Sequence, residues 1–480
     1  MNPYFKFIFS RKQFPEWGIT ALAVLIGCTV TAIFRPWPST MTDSFGYVLA
    51  AIENRFLVFR PFGYSAFLRF LHLISSNIHA IFISQALLYW LSLTLLLLAV
   101  KKYWPPKGRP GLFLLLEFTA AFSPAAILML NALMADALLC CLVFIMLAMM
   151  LVMMQERSFI ALLLYGAAFF AALHTRYSAM FFPLAFVPIL FFHEKRWFGL
   201  TAVALTAVLF GVFHSQICAD MKKEAGVRQF STGFDGWQLA NNGMHVIPWL
   251  DAAERQELPK DGRLRDLHRL ATSGKYDKRI RELTADGTRP VSSFLWYNDL
   301  PLKEYLYLNM QQKGGTYLTN WVKLGSGPYS DYGKWLILHY PGKYMSHYFL
   351  PNLKNVFIPE DTEILSRPGE VEAGQKELCN WFKLDKNVTL KERTPFLGKK
   401  VVPLLPWVEL AGWILMLGAA LFMLIGRKKL SKHTRIALWM LFLFGFVYFG
   451  TTMFASPVVL RYWMPMHAVK LIFAWICVHR

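Results

Sequence analysis

Acidic residues are scarce over most of this chain. Of the 30 Asp and Glu residues, 22 fall between positions 216 and 402, where 27 Lys and Arg residues nearly balance them. The rest of the chain holds only eight acidic residues against 23 basic ones, and 55% of all residues are hydrophobic. That composition excludes an ordinary soluble protein. Because most basic residues outside 216–402 flank apolar segments, we attribute the net charge of +20 to membrane topology and anionic lipid headgroups, and we expect no nucleic-acid partner.

Cysteine is also scarce, and the motifs of several common sites are missing. The six cysteines show no metal-type spacing, and the chain has neither a Walker A loop nor a GxGxxG turn. These absences argue against a zinc site, a P-loop and a dinucleotide-binding fold. We assign no metal ligand, and a divalent cation stays open as a cofactor. Cys218 and Cys379 both lie in 216–402, and whether they pair depends on an oxidising compartment.

Long apolar runs are plentiful instead. A membrane-spanning helix needs about 20 apolar residues, and ten segments approach that length: 18–34, 80–100, 111–130, 137–154, 159–173, 178–192, 200–214, 404–425, 436–452 and 458–478. The first follows three basic residues and lacks a cleavage site, so we expect it to stay as an anchor. The sequence predicts a mainly α-helical, polytopic membrane protein of about ten transmembrane helices.

Basic residues predict the orientation of these helices. If the ten segments alternate, both termini share one side with the basic clusters, which include Lys101/Lys102, Arg157, Lys195/Arg196, Lys428/Lys429 and Arg480. The short connections on the other side hold little besides Arg176. The positive-inside rule therefore predicts cytoplasmic termini in a bacterial inner (plasma) membrane. The site described below would then face the periplasm.

The same topology divides the chain into three parts. Residues 1–215 form an N-terminal transmembrane module whose first outer loop, 35–79, would be catalytic. Residues 216–402 form an extracytoplasmic domain that we expect to be mixed and mainly helical, since polar helix-like stretches alternate with Pro and Gly breaks. Residues 403–480 form a C-terminal transmembrane module.

The first outer loop has helical periodicity of its own. Its apolar residues recur at helical spacing on both sides of the Arg60-Pro61 break: Tyr47, Val48, Ala51, Ile52 and Phe56 before it, and Tyr64, Phe67, Leu68 and Leu71 after it. Two short amphipathic helices of this kind would lie in the membrane interface rather than cross the bilayer.

Aspartate is the rarest charged residue of the apolar regions. Outside 216–402 there are only two, Asp43 and Asp136, and both fall at the boundary of an apolar segment on the predicted outer side. Carboxylates at membrane depth are costly and tend to be functional. A structural role is the alternative for each, since Asp136 would also suit a helix N-terminus and Asp43 could hold an arginine in a salt bridge. We take both as candidate catalytic residues, with Asp43 first.

Three arginines break the positive-inside pattern on the outer side: Arg60, Arg176 and Arg461. A guanidinium at membrane depth needs a counter-charge, and its fork of N–H groups suits a phosphate. The alternatives are salt bridges to Asp43, Glu53 or Asp136, or side chains that extend to the interface. His174 is a further candidate, as a phosphate ligand or proton carrier, although a lone histidine is often structural.

These residues lie in short motifs that resemble a known family. Asp43-Ser44-x-x-Tyr47 followed by Arg60-Pro61-Phe62-Gly63-Tyr64 is similar to the first outer loop of GT-C membrane glycosyltransferases. The resemblance is to the branch of protein O-mannosyltransferases and aminoarabinose transferases. Asn131 to Asp136 resembles the second acidic loop of that branch, His174-Thr-Arg176 its arginine-containing turn, and Arg461-Tyr462-x-x-Pro465 its last-helix motif.

The resemblance implies a function and a set of roles. Asp43 would be the catalytic base, and the arginines, with Tyr64, His174 and Tyr462, would contact the donor's phosphate. The donor would be a polyprenyl-phosphate sugar, and the acceptor hydroxyl would belong to a lipid, a glycan or a protein. A Ser follows Asp43 where several relatives carry a second acid, which leaves metal dependence open. The alternative from a different class is a non-catalytic lipid-phosphate or glycolipid binder or transporter of envelope biogenesis; a scaffold role is a third.

Overall fold

The computed structural model describes residues 2–34, 38, 40, 42–56, 58–192, 196–230, 234–359, 375–384, 400–425 and 430–478. These residues form helices and loops, with no β-strand among them. Of the basic residues used for the topology prediction, Lys195, Lys428, Lys429 and Arg480 lie outside the described ranges.

Most of the described residues lie in helices, and these helices follow one another along all parts of the chain that the structure describes. The first part contains α1 Pro3–Ile8, α2 Phe14–Phe34, α3 Thr42–Glu53, α4 Gly63–Ile74, α5 His79–Tyr103, α6 Pro110–Ala121, α7 Pro124–Leu130, α8 Ala135–Gln155, α9 Phe159–Thr175, α10 Val187–Phe192 and α11 Arg196–Ala225. The central part contains α12 Phe234–Met244, α13 Gly262–Ala271, α14 Asp277–Leu283, α15 Pro301–Lys313, α16 Tyr317–Leu324, α17 Ser330–His339, α18 Pro341–Tyr344, α19 Leu350–Phe357 and α20 Gln375–Trp381. The last part contains α21 Leu405–Ile425, α22 Lys432–Ala455 and α23 Met464–Val478.

Seven helices among the described residues are long and apolar enough to cross a membrane: Arg11–Phe34, His79–Tyr103, Pro110–Leu130, Ala135–Gln155, Arg196–Ala225, Leu405–Ile425 and Lys432–Ala455. This many apolar helices indicates an integral membrane protein. The three other predicted segments are not among these seven, because their helices are shorter than 18 residues. They form α9, a 3₁₀ segment at Tyr177–Phe186 that continues into α10, and α23.

The bundle is built around α8. This helix packs between α5 and α9 and buries nearly all of its side chains. By contrast, α2 and α21 leave most of their apolar side chains exposed. Lipid tails are as apolar as these exposed side chains, so their contact with lipid costs no free energy. We therefore expect α2 and α21 at the periphery of the bundle and α5 and α8 in its interior.

Two predicted boundaries differ from the structure. The division at 215/216 falls inside α11, which continues unbroken from Arg196 to Ala225. The segment 111–130 is interrupted between α6 and α7, where Ser123 caps α7 by accepting a hydrogen bond from the backbone N–H of Ala126. Cys218 and Cys379 are both buried thiols and do not form a disulfide.

The last helix is held by buried charges. Lys470 on α23 donates to the carboxylate of Glu409 on α21 at 2.7 Å, and His467 lies 3.2 Å from the other oxygen of that carboxylate. All three side chains are almost fully buried. Buried charges must compensate each other, so the contact between Lys470 and Glu409 fixes the register of α23 against α21. The turn directly before α23 carries part of the candidate site.

Candidate functional site

Six residues singled out from the sequence meet at one end of the helix bundle, each placed by the end of a helix. They are Asp43 in the first turn of α3, Arg60 in the turn before α4, Asp136 in the first turn of α8, Arg176 directly after α9, and Arg461 and Tyr462 in the 3₁₀ turn Leu460–Trp463 before α23. We call these six residues the Asp43 cluster.

The first ion pair joins Asp43 to Arg60. The Arg60 guanidinium contacts the Asp43 carboxylate and also lies 3.4 Å from the Asp43 carbonyl oxygen. Burial by itself would raise the pKa of the Asp43 carboxyl. The neighbouring arginines, first Arg60 and then Arg461 and Arg176, outweigh burial and hold this pKa below its ordinary value. Asp43 is therefore ionised at neutral pH, and three guanidiniums act on one carboxylate.

The second ion pair joins Asp136 to Arg176. Their nearest nitrogen and oxygen atoms are 2.5 Å apart, with the carboxylate 4% exposed and the guanidinium 27% exposed. The position of Asp136 in the first turn of α8 also places its negative charge at the positive end of the helix dipole. The negative charge of Asp136 is thus stabilised both by Arg176 and by the helix dipole. This arrangement suits a residue that holds Arg176 in place better than one that accepts a proton during a reaction.

Tyr462 joins two arginines. Arg176 donates a hydrogen bond to the Tyr462 hydroxyl at 3.2 Å, and Arg461 donates to the same oxygen at 3.3 Å. Both guanidiniums also lie over the Tyr462 ring, at 4.6 Å and 5.2 Å from its centroid. Two like charges are therefore held side by side on one aromatic ring. This geometry creates the type of paired donor that binds phosphate or carboxylate oxygens.

Tyr64 lies behind the cluster rather than in it. Its ring meets the Tyr47 ring edge-on at 4.9 Å, and the Tyr47 ring in turn lies 5.0 Å from the Arg60 guanidinium. The Tyr64 hydroxyl is buried and donates to Gln85 at 2.9 Å. Tyr64 therefore supports Tyr47 and Arg60 from below. Gln85 was not among the residues predicted from the sequence. The signal that could have identified it is that it is the one amide side chain in the apolar sequence of α5.

The loop before α8 is fixed by two side chains. The Gln85 amide donates to the carbonyls of Leu130 at 2.7 Å and Ala132 at 3.1 Å, and the Ser44 hydroxyl donates to the carbonyl of Leu133 at 2.8 Å. Ser44 thus ties α3 to this loop, and the two aspartates are held in one place. Within the described part of the chain, no group of three or more His, Cys, Asp and Glu side chains is arranged to hold a metal ion.

His174 points away from the cluster. Its ring meets Phe170 and Phe213 edge-on at 4.7 Å and 4.9 Å, and its polar neighbours are Gln216 and Asp220 on α11. The predicted role of its side chain at the phosphate has no support in these contacts. Its backbone matters instead, because the carbonyl of His174 lies where a side chain on Gly63 would be, 2.5 Å from a Cβ built there.

Comparisons with known proteins found no match. Neither the protein-family models, nor the curated proteins, nor the solved structures include a match to it.

Proposed function

We propose that this protein is an inverting glycosyltransferase that moves a sugar from a polyprenyl-phosphate donor to an acceptor hydroxyl. The observation that carries the proposal is the convergence of Arg176 and Arg461 on one tyrosine, beside Asp43. A paired guanidinium fork suits the donor's phosphate, and an ionised carboxylate next to it suits the proton of the acceptor.

The arginines would act on the leaving group. As the bond between the anomeric carbon and the phosphate oxygen breaks, negative charge grows on the polyprenyl phosphate. Arg176 and Arg461 are held in place by Tyr462 and Asp136, so they would stabilise that charge without having to reorganise. Preorganised donors of this kind are among the largest contributors to catalysis.

Asp43 would act on the acceptor. The acceptor oxygen attacks the anomeric carbon from the face opposite the phosphate, and its proton passes to the Asp43 carboxylate. In the free protein Arg60 holds the pKa of Asp43 low, which makes it a weak base. A bound phosphate would compete for Arg60, so the basicity of Asp43 would rise when the donor is present.

The membrane arrangement belongs to the same proposal. The bundle would have about ten spans, with both termini in the cytoplasm of a bacterium and the Asp43 cluster on the periplasmic face. A 3₁₀ helix rises about 2.0 Å per residue, whereas an α-helix rises about 1.5 Å. The 3₁₀ segment Tyr177–Phe186 together with α10 would therefore be nearly as long as a bilayer core is thick. Residues 216–402 would lie outside, where they could contact a lipid, glycan or protein acceptor, while membrane lipids surround the bundle.

A non-catalytic binder or transporter of lipid phosphates is the second candidate. It is favoured by the pairing of both aspartates with arginines, because a carboxylate fully used in an ion pair need not accept a proton. In that case the same arginines bind the phosphate, and no bond is broken.

The deciding experiment replaces Asp43 with Asn in the purified protein. Asp43→Asn should bind a polyprenyl-phosphate sugar but transfer it about 10²–10⁴-fold more slowly, which is the usual contribution of a positioned base. The matched control is Asp266→Asn, a side chain 77% exposed in the central part, which should transfer at the wild-type rate. A wild-type rate in Asp43→Asn would remove Asp43 from the mechanism, and donor binding without any transfer by the wild type would favour the binder.

Arg461→Lys tests the phosphate contact separately. Lysine keeps the charge but loses the two-pronged geometry, so the KM for the donor should rise while the melting temperature stays near that of wild type. A donor KM that does not change in either Arg461→Lys or Arg461→Ala would remove Arg461 from the site.

A further inference from the structure

A small cavity lies outside the Asp43 cluster, between α2, α5 and α6. Its wall includes Glu16 and Thr20 of α2, Trp90 and Thr94 of α5, and Glu117 of α6. The cavity has room for one water molecule or one small ion.

The cavity is lined by oxygen atoms that can accept hydrogen bonds. Both carboxylate oxygens of Glu117 and the Oε2 atom of Glu16 are buried and have no hydrogen-bond donor among the described residues. Glu117 is 2% exposed and Glu16 is 3% exposed. The hydroxyls of Thr20 and Thr94 contact each other, so one of them donates to the other, and each also lies near a backbone carbonyl, at 3.0 Å and 2.8 Å. Both oxygens keep a lone pair that can accept. A cavity lined by acceptors selects an occupant that carries protons or positive charge.

The charges around the cavity do not balance. Lys101 near the end of α5 contacts the Oε1 atom of Glu16 and neutralises that carboxylate. An ionised Glu117 would then leave one negative charge, and the charged groups acting on it are Glu16 and Lys101. From α23, the Trp475 ring packs edge-on against Phe113, one turn before Glu117 on α6, with the ring centroids 5.1 Å apart. An uncompensated carboxylate at this depth is strongly unfavourable.

We propose that this cavity is a binding site for a single monovalent cation, either a proton carried by Glu117 or a sodium ion held by the oxygens of Glu16, Thr20, Thr94 and Glu117. One positive charge balances the site, and the cavity has room for a sodium ion or, beside a protonated Glu117, for one water molecule. A neutral water molecule fits the space but leaves the negative charge buried. The inference does not depend on the glycosyltransferase proposal.

The bound cation would join α2 to the bundle. Most of α2 is exposed, and its polar contacts with α5 and α6 are concentrated at this cavity. Since α2 ends at Phe34, shortly before Asp43, a cation at one end of the helix would stabilise the position of the loop at the other.

The test measures the melting temperature of the purified full chain. One series varies pH in a buffer without sodium, and the other varies sodium at fixed alkaline pH, for wild type, Glu117→Gln and the control Glu282→Gln, a side chain 53% exposed. If the occupant is a proton, the wild type becomes less stable as pH rises, because the folded state holds a proton that the unfolded state releases. If it is sodium, the wild type becomes more stable as sodium increases. Glu117→Gln should lose either response, and Glu282→Gln should keep it.

Infrared spectroscopy separates the two cations. A protonated carboxyl in wild type gives a carbonyl band that Glu117→Gln lacks, whereas bound sodium leaves a carboxylate band that shifts on its removal. Responses to pH and sodium that are identical in wild type and Glu117→Gln would overturn the site. If Glu117→Gln does not fold, the wild type decides, since a melting temperature indifferent to both cations overturns the proposal equally.

Discussion

Arg176 and Tyr462 are 286 residues apart in the chain, and the guanidinium of the first donates a hydrogen bond of 3.2 Å to the hydroxyl of the second. This contact joins the turn after α9 to the turn before α23. Because Arg461 donates to the same hydroxyl, one phenolic oxygen holds two cations in a fixed relation. The geometry of the candidate phosphate site depends on that oxygen.

Replacing Tyr462 with Phe should therefore weaken donor binding. Phenylalanine keeps the ring beneath both guanidiniums but removes their common acceptor. A hydrogen bond to a charged group contributes about 1.5–3 kcal/mol, so we expect the donor KM to rise about 10- to 100-fold. The control is Tyr307→Phe, a side chain 37% exposed whose hydroxyl donates to Asn298 at 3.2 Å. A fall in melting temperature with an unchanged KM would make Tyr462 purely structural.

Asp43 should give the protein a stability that disappears in acid. Its pKa is lower in the folded protein than the ordinary aspartate value, because Arg60, Arg461 and Arg176 outweigh burial. The resulting stabilisation is complete above the unfolded pKa of about 3.9 and is lost as pH falls through the folded value. The melting temperature of wild type should thus exceed that of Asp43→Asn near neutral pH, and the difference should shrink below about pH 4. A constant difference across this range would contradict the assignment.

Gly63 should not tolerate a side chain. A Cβ there would lie 2.5 Å from the carbonyl oxygen of His174, which is backbone and cannot move aside alone. We expect Gly63→Ala to lower stability by about 1–3 kcal/mol, as in other overpacked sites, and to reduce activity by displacing Arg60. Gly111→Ala is the matched control, because no atom lies within 4 Å of a Cβ at that helix start. Equal melting temperatures for the two variants would show that the Gly63 turn adapts.

The membrane orientation can be tested by cysteine labelling of intact cells. Lys260 and Lys107 are both exposed, and the native cysteines are buried or half-buried, so the background should be low. An impermeant thiol reagent should label Lys260→Cys before lysis and Lys107→Cys only after it. Labelling in the reverse order would place residues 216–402 in the cytoplasm and remove the periplasmic site.

Helix positions could be predicted because apolar length and periodicity are local properties. Segment 80–100 is α5, segment 137–154 is α8, and the two amphipathic runs of the first outer loop are α3 and α4, separated at Arg60-Pro61 as expected. The break between α6 and α7 was missed, although Ser123-Pro124 signals a helix start. Segments 159–173 and 178–192 are already short for a full span in the sequence. The late start of α23 could not be predicted, because composition does not reveal the 3₁₀ turn Leu460–Trp463 before it.

The sequence by itself determined that this is an apolar, helical membrane protein, and the rarity of aspartate drew attention to Asp43 and Asp136. Only the tertiary structure decided their partners. Asp136 pairs with Arg176, 40 residues away, and His174, two residues before that arginine, turns towards α11 instead. The direction of a side chain at a helix end depends on which helices pack beside it. Those long-range contacts, unlike apolar periodicity, leave no trace in the neighbouring sequence.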